Sequence, residues 1–220
     1  MKQTLFITND GSTSIRLDEL DETYHSKHGA IQEAYHVFIK NGLSLFEGRS
    51  VSVLEIGFGT GLNALITLKE AQNLKQTIDY VGIEAHPVSF DMIMQMNYVQ
   101  QLDQDNLKSS FELMHHSDWQ KRIAITPNFS LIKEKKLFQE INNENQFDLI
   151  YFDAFGFRVQ PELWSVEIFQ KMYKALKKDG VLVTYACRTS IKNAMKECGF
   201  TVEKLPGAPG KREMLRAFKI

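Results

Sequence analysis

A glycine-rich turn follows an apolar segment about a quarter of the way along the chain. The segment reads Val51-Ser52-Val53-Leu54-Glu55-Ile56, and the turn reads Gly57-Phe58-Gly59-Thr60-Gly61. Glycine accepts positive φ angles and lets a ligand approach the backbone closely. An apolar strand, such a turn and then a helical pattern indicate a nucleotide-type pocket at the carboxyl edge of a parallel sheet. The alternative is a tight turn with a purely structural role.

The spacing of the glycines distinguishes between nucleotides. A dinucleotide fingerprint requires G-x-G-x-x-G, whereas the third glycine comes one residue early here. With Glu55 before it, the turn resembles motif I of class I S-adenosylmethionine-dependent methyltransferases. The cofactor-binding residues that this resemblance implies are Glu55, Gly57, Gly59, Thr60, Gly61 and Asn63.

A second acidic residue closes the next apolar segment. Glu84 ends the segment 78–84, close to the roughly 20-residue offset at which an acid meets ribose hydroxyls in such folds. A carboxylate can accept hydrogen bonds from both vicinal hydroxyls. Glu84 is therefore predicted to bind the ribose, and the alternative is that it only caps the following helix.

Composition limits the class of protein. The chain has 220 residues, 43% of them hydrophobic and 15 of them Phe, enough for one domain with a modest extension. No apolar run approaches the roughly 18 residues of a membrane span, and the amino terminus lacks a signal-peptide core. Only Cys187 and Cys198 occur, so we expect a cytoplasmic protein without disulfides.

Charge and histidine content bear on metals and nucleic acid. The formal net charge is −1, so any binding to RNA requires local cations. His25, His28 and His36 lie near one another in sequence, but no Cys or carboxylate signature completes a metal site, and we predict surface or capping roles for them. We therefore predict no metal.

Apolar patterns alternate between strand and helix after residue 46. Strands are predicted at 51–56, 78–84, 129–133, 147–153, 180–186, 200–204 and 213–218, and helices at 61–73, 87–101, 162–177 and 189–198. This alternation predicts an α/β fold with a seven-stranded, mostly parallel sheet covered by helices on both faces. Residues 1–45 are predicted to form an extension with a β-hairpin and a helix, and residues 46–220 the main domain.

A third carboxylate ends the apolar segment 147–153. A parallel sheet would place Asp153 at its carboxyl edge, beside the glycine turn. A carboxylate followed two residues later by an aromatic ring, here Phe155, can hold an amine while the ring stacks on a planar group. The alternative is an Asp that caps a loop and a Phe that belongs to the core.

Several segments together resemble one family. They are Tyr24-His25-Ser26-Lys27-His28-Gly29-Ala30, Glu84-Ala85-His86-Pro87, Asp153-Ala154-Phe155, Gln160-Pro161-Glu162-Leu163-Trp164 and Gly207-Ala208-Pro209-Gly210-Lys211-Arg212-Glu213-Met214. They are similar to the methyltransferase part of the tRNA 5-methylaminomethyl-2-thiouridine biosynthesis family. The resemblance extends from about residue 20 to the end of the chain.

The resemblance implies a reaction and a partner. The expected reaction is methyl transfer from S-adenosylmethionine to the exocyclic amine of 5-aminomethyl(-2-thio)uridine at the tRNA wobble position. Asp153 would accept or orient the amine's proton, and Phe155 would stack on the flipped base. Many bacterial members carry a fused flavin-dependent oxidase; here we expect a stand-alone methyltransferase without flavin.

Candidate contacts to the anticodon region come from cations and one indole. Lys211 and Arg212 belong to a Pro/Gly loop that should overhang the active edge of the sheet, and Arg188 could extend this patch. Trp164 is a further candidate for substrate binding, although core packing is the alternative for it.

Two questions stay open at this level. The family usually has an acid after the third strand, near the adenine, where this chain has Lys133 and Glu134; Glu134 or backbone groups could replace it. The rival functions are a small-molecule N-methyltransferase, a spermidine-synthase-like aminopropyltransferase, and a non-catalytic protein that binds S-adenosylmethionine or RNA.

Overall fold

The computed structural model describes residues 2–220 and begins with a small antiparallel sheet. Its strands are β1 (Gln3–Ile7), β2 (Thr13–Leu17) and β3 (Glu22–Thr23). The β1–β2 turn closes through Asp10, whose Oδ1 accepts hydrogen bonds from the backbone N–H and the hydroxyl of Ser12. The predicted hairpin is therefore present, because a short Asx-type turn satisfies the backbone between its two strands.

A larger sheet forms the centre of the molecule. Within residues 2–220 it has eight strands in the order β10-β11-β9-β8-β4-β5-β7-β6. The strands are β4 (Ser50–Ile56), β5 (Thr77–Glu84), β6 (Ile123–Thr126), β7 (Phe129–Lys135), β8 (Phe147–Phe152), β9 (Leu176–Thr184), β10 (Thr201–Pro206) and β11 (Glu213–Phe218). The pairs among β4, β5, β7, β8 and β9 are parallel, and the pairs that involve β6, β10 and β11 are antiparallel.

The predicted sheet is confirmed, with one strand more than the seven expected. The extra strand, β6, lies at the sheet edge and pairs with β7 across a register shift between Ala124 and Thr126. It has four residues, so its apolar alternation is too short to be recognised from the sequence.

Helices cover both faces of this sheet. They are α1 (Ala30–Ala34), which continues into a π-helix (Tyr35–Lys40), α2 (Leu62–Asn73), α3 (Phe90–Ile93), α4 (Tyr98–Gln101), α5 (Leu107–His116), α6 (Val166–Ala175) and α7 (Thr189–Glu197). Short 3₁₀ turns occupy Leu43–Phe46, Phe138–Glu140 and Pro161–Trp164. None of the helices within residues 2–220 combines the length and apolar character of a membrane span.

One predicted helix is interrupted. The segment 87–101 forms the two short helices α3 and α4 instead of one. Between them Asn97 binds the amino-terminal hairpin: its Oδ1 accepts from the backbone N–H of Thr13 (2.8 Å), and its Nδ2 donates to the carbonyl of Gly11 (2.9 Å). The helical period was correct locally, but these long-range hydrogen bonds end the helix.

The central strands are buried on both faces. In β4, Val53 packs into the core on one side of the sheet, whereas the next residue, Leu54, packs into the core on the other side. Parallel strands covered by helices on both faces show this pattern. Ile15 of the small sheet packs into the same core as Val53, so the first 45 residues are not packed separately; the division at residue 45 stays a prediction.

Candidate active site

The glycine turn connects β4 to α2 and lies directly beside the end of β8. Gly57 has a φ of 90°, and a Cβ added there would lie 2.5 Å from the carbonyl oxygen of Asp153. The backbone N–H groups of Gly57 and Phe58 both donate to the carbonyl of Ile83 (3.0 and 2.9 Å). Because glycine tolerates both the positive φ and the close approach, β4, β5 and β8 end at one place.

Glu84 closes this place from the end of β5. Its Oε2 accepts the N–H of Gly59 (3.0 Å), and its Oε1 accepts the N–H of His86 (2.8 Å). A carboxylate has about four acceptor positions, so both oxygens retain capacity for a ligand. The half-buried side chain thus holds the glycine turn in shape and still faces the cavity.

A cavity of 380 Å³ opens at this edge of the sheet. Its floor comes from the carboxyl ends of the parallel strands, as expected for an open α/β sheet. Its roof comes from the amino-terminal segment 22–26 and from Glu33 of α1. Among the lining residues are Gly57, Phe58, Gly59, Thr60, Asn63, Glu84, Leu137, Phe138, Asp153, Phe155, Tyr185 and Lys211.

Asp153 lines the cavity directly after β8. Its Oδ2 accepts a hydrogen bond from Asn63 Nδ2 (2.8 Å). Burial raises the pKa of Asp153 to about 7; the carboxylate of Glu33 adds to the rise, and Asn63 and Lys211 oppose it. At neutral pH this carboxyl group can therefore both accept and release a proton, which suits acid–base work.

Phe155 presents its ring two residues further along. The ring packs edge-to-face against Tyr24, with 5.1 Å between the centroids. Its backbone carbonyl accepts a hydrogen bond from Trp164 Nε1 (2.8 Å). Trp164 is only 2% exposed, so the prediction that it contacts substrate or tRNA is wrong: it supports the loop that carries Asp153 and Phe155.

Comparison with known proteins identifies the chain as a methyltransferase. A family model described as an S-adenosyl-L-methionine-dependent methyltransferase matches residues 97–220. The chain belongs to this family. The co-substrate is therefore S-adenosylmethionine, as the glycine spacing predicted.

Individual relatives carry more specific names. The chain is 27% identical over 211 residues to the tRNA 5-methylaminomethyl-2-thiouridine biosynthesis bifunctional protein MnmC of Leptospira interrogans, covering 90% of this chain and 32% of the relative. The Ralstonia nicotianae protein of the same name is 29% identical, at 88% and 31% coverage. The chain thus spans about a third of these bifunctional relatives.

Solved structures confirm the predicted fold class. MNMC2 from Aquifex aeolicus superposes with a TM-score of 0.77 at 22% identity, over 98% of this chain and 70% of that one. Spermidine synthase from Thermotoga maritima superposes with a TM-score of 0.63 at 16% identity, over 99% and 69%. At such identities the likeness concerns the fold, which is the class I methyltransferase fold expected from the sequence.

The cavity suits the family's co-substrate. Gly57 and Gly59 offer backbone without side chains, Glu84 offers free acceptor positions, and Thr60 and Asn63 line the same wall. Gly61, also predicted to bind the cofactor, does not line the cavity: it caps the start of α2 with a φ of 73°. These are groups that can hold an amino-acid portion and a ribose. Glu55 does not reach this cavity, so its predicted contact with the cofactor is wrong.

Glu55 instead supports the site from below. It is fully buried, and its two oxygens accept hydrogen bonds from Asn63 Nδ2 (2.8 Å) and Tyr80 OH (2.9 Å). Asn63 therefore bridges Glu55 and Asp153. Burial raises the pKa of Glu55 well above its ordinary value, Asp153 adds to the rise, and the two hydrogen bonds oppose it.

The raised pKa of Glu55 predicts a pH-dependent stability. An acid with a higher pKa in the folded state binds more protons when folded, so its contribution to stability declines as pH rises above the unfolded pKa. Glu55→Gln removes this loss, and its melting temperature relative to wild type should rise by about 2–4 °C between pH 5 and 8. Glu55→Ala should lose stability at every pH, because Asn63 and Tyr80 lose their acceptor. If the melting temperature of Glu55→Gln instead declines relative to that of wild type as pH rises, Glu55 is ionised in the folded protein.

The three predicted cations lie in different environments. The ammonium of Lys211 enters the cavity, where it pairs with Glu33, so it is not free for a phosphate as predicted. Arg212, the next residue, is exposed. Arg188 is also exposed, and its guanidinium lies over the ring of Phe157, 4.8 Å from the centroid. Phe157 and Arg188 line a shallow hollow that shares Gly156 with the main cavity.

The segment after β7 contributes to the cavity through a turn that the sequence did not indicate. Lys133 is 2% exposed and donates to the carbonyl of His115 (3.1 Å), and Glu134 pairs with Lys136. Neither Lys133 nor Glu134 lines the cavity, whereas Leu137, Phe138 and Gln139 do.

The roof residues were also missed as site residues. Tyr24, His25 and Ser26 line the cavity together with Glu33. His25 is half-buried: its Nδ1 shares a hydrogen bond with Ser14 Oγ (2.9 Å), and burial lowers its pKa to about 4. Among residues 2–220, no three His, Cys, Asp or Glu side chains are arranged to hold a metal ion. The resemblance at 24–30 was the available signal for this roof.

Proposed function

We propose that this protein methylates the exocyclic amine of 5-aminomethyl(-2-thio)uridine at the wobble position of tRNA. The observation that carries the proposal is the pairing of Asp153 with Phe155 at the wall of the methyltransferase cavity, beside the glycine turn. The carboxyl group suits an amine, and the ring suits the flat base that bears it. The names of the bifunctional relatives support this choice of substrate.

The co-substrate would lie along the glycine turn. Gly57 and Gly59 would face its amino-acid portion, Glu84 would accept hydrogen bonds from its ribose, and Leu137 with Phe138 would cover its adenine. When bound, the co-substrate supplies a methyl group already activated by a sulfonium. The chain therefore has to align the amine with that methyl group, and such positioning can lower the barrier by on the order of 7–11 kcal/mol.

The amine needs one deprotonation before it can attack. An alkyl ammonium has no lone pair, and Asp153, with its pKa of about 7, can take the proton at a carboxylate oxygen. The amine nitrogen then forms a bond to the methyl carbon as the carbon–sulfur bond breaks. The product is a methylated ammonium and a neutral thioether, so atoms and charge balance.

The wobble base has to leave its stack to reach the cavity. An anticodon base is single-stranded, which keeps the cost of flipping low. Phe155 would stack on the flipped base. Outside the cavity, Arg188 on Phe157 would contact the neighbouring nucleotide, and Arg212 would contact the backbone phosphates.

Methyl transfer to defined tRNA tests the function. We expect label from methyl-labelled S-adenosylmethionine to enter tRNA that carries 5-aminomethyluridine at the wobble position, and digestion to yield the methylaminomethyl nucleoside. The matched control is the same tRNA with unmodified uridine there. Absence of label in both would refute the proposal.

A polyamine control separates the aminopropyltransferase alternative. Putrescine with decarboxylated S-adenosylmethionine should give no product. An aminopropylated product from putrescine, combined with no label in tRNA from the methyl-transfer assay, would establish the aminopropyl reaction instead. Free aminomethyl compounds that are methylated faster than tRNA would establish a small-molecule methyltransferase, and binding without turnover on any substrate would establish a non-catalytic protein.

Loss of Arg188 and Arg212, the two exposed arginines outside the cavity, should weaken tRNA binding without affecting co-substrate binding. Arg188→Ala with Arg212→Ala is expected to raise the KM for tRNA several-fold, because the contacts to the phosphates and to the neighbouring nucleotide are both lost. The loss of the Arg212 phosphate contact should flatten the salt dependence by roughly one unit of slope. Affinity for S-adenosylmethionine should not change. Lys178→Ala is the matched control, because Lys178 is exposed at the start of β9, at the opposite edge of the sheet. Equal KM values for tRNA in the double variant and the control would exclude Arg188 and Arg212 as tRNA contacts.

A further inference from the structure

Lys211 reaches the cavity from the loop between β10 and β11. The loop is closed by hydrogen bonds from Gly207 N–H to the carbonyl of Arg212 (3.0 Å) and from Lys211 N–H to the carbonyl of Ala208 (2.8 Å). The preceding carbonyl, that of Pro206, is hydrogen-bonded to His36 Nε2 (2.8 Å). The backbone around Lys211 is therefore held in place, and its side chain points inward.

The ammonium of Lys211 lies between a carboxylate and an aromatic face. It pairs with Oε1 of Glu33, while Oε2 of Glu33 accepts the N–H of Ser26 (3.2 Å). It also lies 3.9 Å from the centroid of the Tyr185 ring, which is a favourable position for a cation. Tyr185 OH donates to the carbonyl of Ala154 (2.8 Å), next to Asp153. The pair thus joins the roof, the β10–β11 loop and the Asp153 segment.

Several titratable groups on different elements surround Asp153. Glu33 faces it from α1 and Lys211 from the β10–β11 loop; Tyr185 faces it from the end of β9, and Glu55 and Tyr80 lie below, on β4 and β5. Glu33 raises the pKa of Asp153, and Lys211 lowers it. Glu33 forms an ion pair with Lys211, whereas Asp153 forms no salt bridge within residues 2–220.

We propose that the Glu33–Lys211 pair is a positioning device, which neutralises the second carboxylate at the Asp153 end of the cavity so that the substrate's amine meets Asp153 alone. This inference rests on the proposed function. An unpaired Glu33 would attract the substrate ammonium away from Asp153 and keep its proton in place, leaving no lone pair for attack. Lys211 therefore acts inside the cavity and does not contact the tRNA backbone.

Titration of Asp153 tests the pair without relying on turnover. In protein labelled with ¹³C at aspartate carboxyl carbons, the Asp153 resonance is the one absent from Asp153→Asn. We expect Lys211→Met to raise the pKa of Asp153 and Glu33→Gln to lower it, each by about one pH unit or more. Lys211→Arg should restore the wild-type value, because it keeps the charge.

The matched control removes an exposed pair on the same hairpin. Lys204 bonds to Glu213 through Nζ (2.7 Å), with both side chains about two-fifths exposed. Lys204→Met should leave the titration of Asp153 unchanged. If Lys211→Met and Glu33→Gln shift the pKa of Asp153 in the same direction, or no further than Lys204→Met does, the inference is wrong whatever the substrate.

The pH profile of turnover connects the pair to the reaction. The acid limb of kcat/KM on aminomethyl-uridine tRNA should move to higher pH in Lys211→Met and to lower pH in Glu33→Gln, because the carboxylate form of Asp153 is the active one. Opposite shifts in the titration combined with no methylation of any tRNA would reject the proposed function and leave the electrostatic role of the pair intact. Opposite titration shifts with an unmoved acid limb would refute the role in the reaction.

Discussion

Asp153→Asn is expected to slow methyl transfer roughly 10²-fold or more, the range typical of a positioned acid–base group. The asparagine oxygen can still accept the hydrogen bond from Asn63 Nδ2, so the loop should keep its shape. The side chain can no longer take a proton, so the acid limb that we expect for wild type, from an Asp153 pKa of about 7, should disappear. The measurement is single-turnover methylation of saturating aminomethyl-uridine tRNA between pH 6 and 9.

Two control measurements on Asp153→Asn separate a loss of chemistry from a loss of binding or folding. Affinity for S-adenosylmethionine should be unchanged in Asp153→Asn, because the glycine turn and Glu84 are intact. The melting temperature should stay close to that of wild type. Turnover close to that of wild type at all pH values would remove Asp153 from the chemistry, and the amine would then need another proton acceptor.

The second large effect concerns the co-substrate. Glu84→Ala should weaken S-adenosylmethionine binding by about 1–3 kcal/mol, because ribose hydroxyls lose their acceptor. This corresponds to a rise of roughly 5- to 150-fold in Kd, measured by calorimetry. Glu84 also accepts the N–H groups of Gly59 and His86, so part of the loss would come from a loosened glycine turn.

A conservative variant separates these two contributions. Glu84→Gln keeps one side-chain oxygen, which can satisfy Gly59 or His86 but not both, and it removes the charge. We expect an affinity between those of wild type and Glu84→Ala, with a melting temperature closer to wild type. Unchanged affinity in Glu84→Ala would contradict the ribose assignment and leave Glu84 with the turn alone.

The sheet could be predicted because its strands are short apolar runs that end in recognisable turns. All seven predicted strands are present, and the structure adds only the four-residue β6. The prediction of one continuous helix at 87–101 was wrong, because helical periodicity reports only local burial. It contains no information about Asn97, which bonds to a hairpin more than 80 residues earlier in the chain.

The candidate site could be predicted where its residues follow strands. Gly57, Glu84 and Asp153 each come directly after or at the end of a strand, and parallel strands bring such positions to one edge. Their roles stay predictions until the variants are measured. Glu55 comes two residues before Gly57, and the pleat turns its side chain into the core, where it supports Asn63.

By itself the sequence determined the class of fold, the nucleotide-type edge and the family, because strand periodicity, glycine spacing and short motifs are local along the chain. Only the tertiary structure decided which polar groups share the cavity. Glu33 and Lys211 are far apart in sequence, and Arg212 adjoins Lys211 but faces solvent. Whether a cation meets a carboxylate or a phosphate depends on which side of a loop it occupies, and that depends on packing between elements distant in the chain.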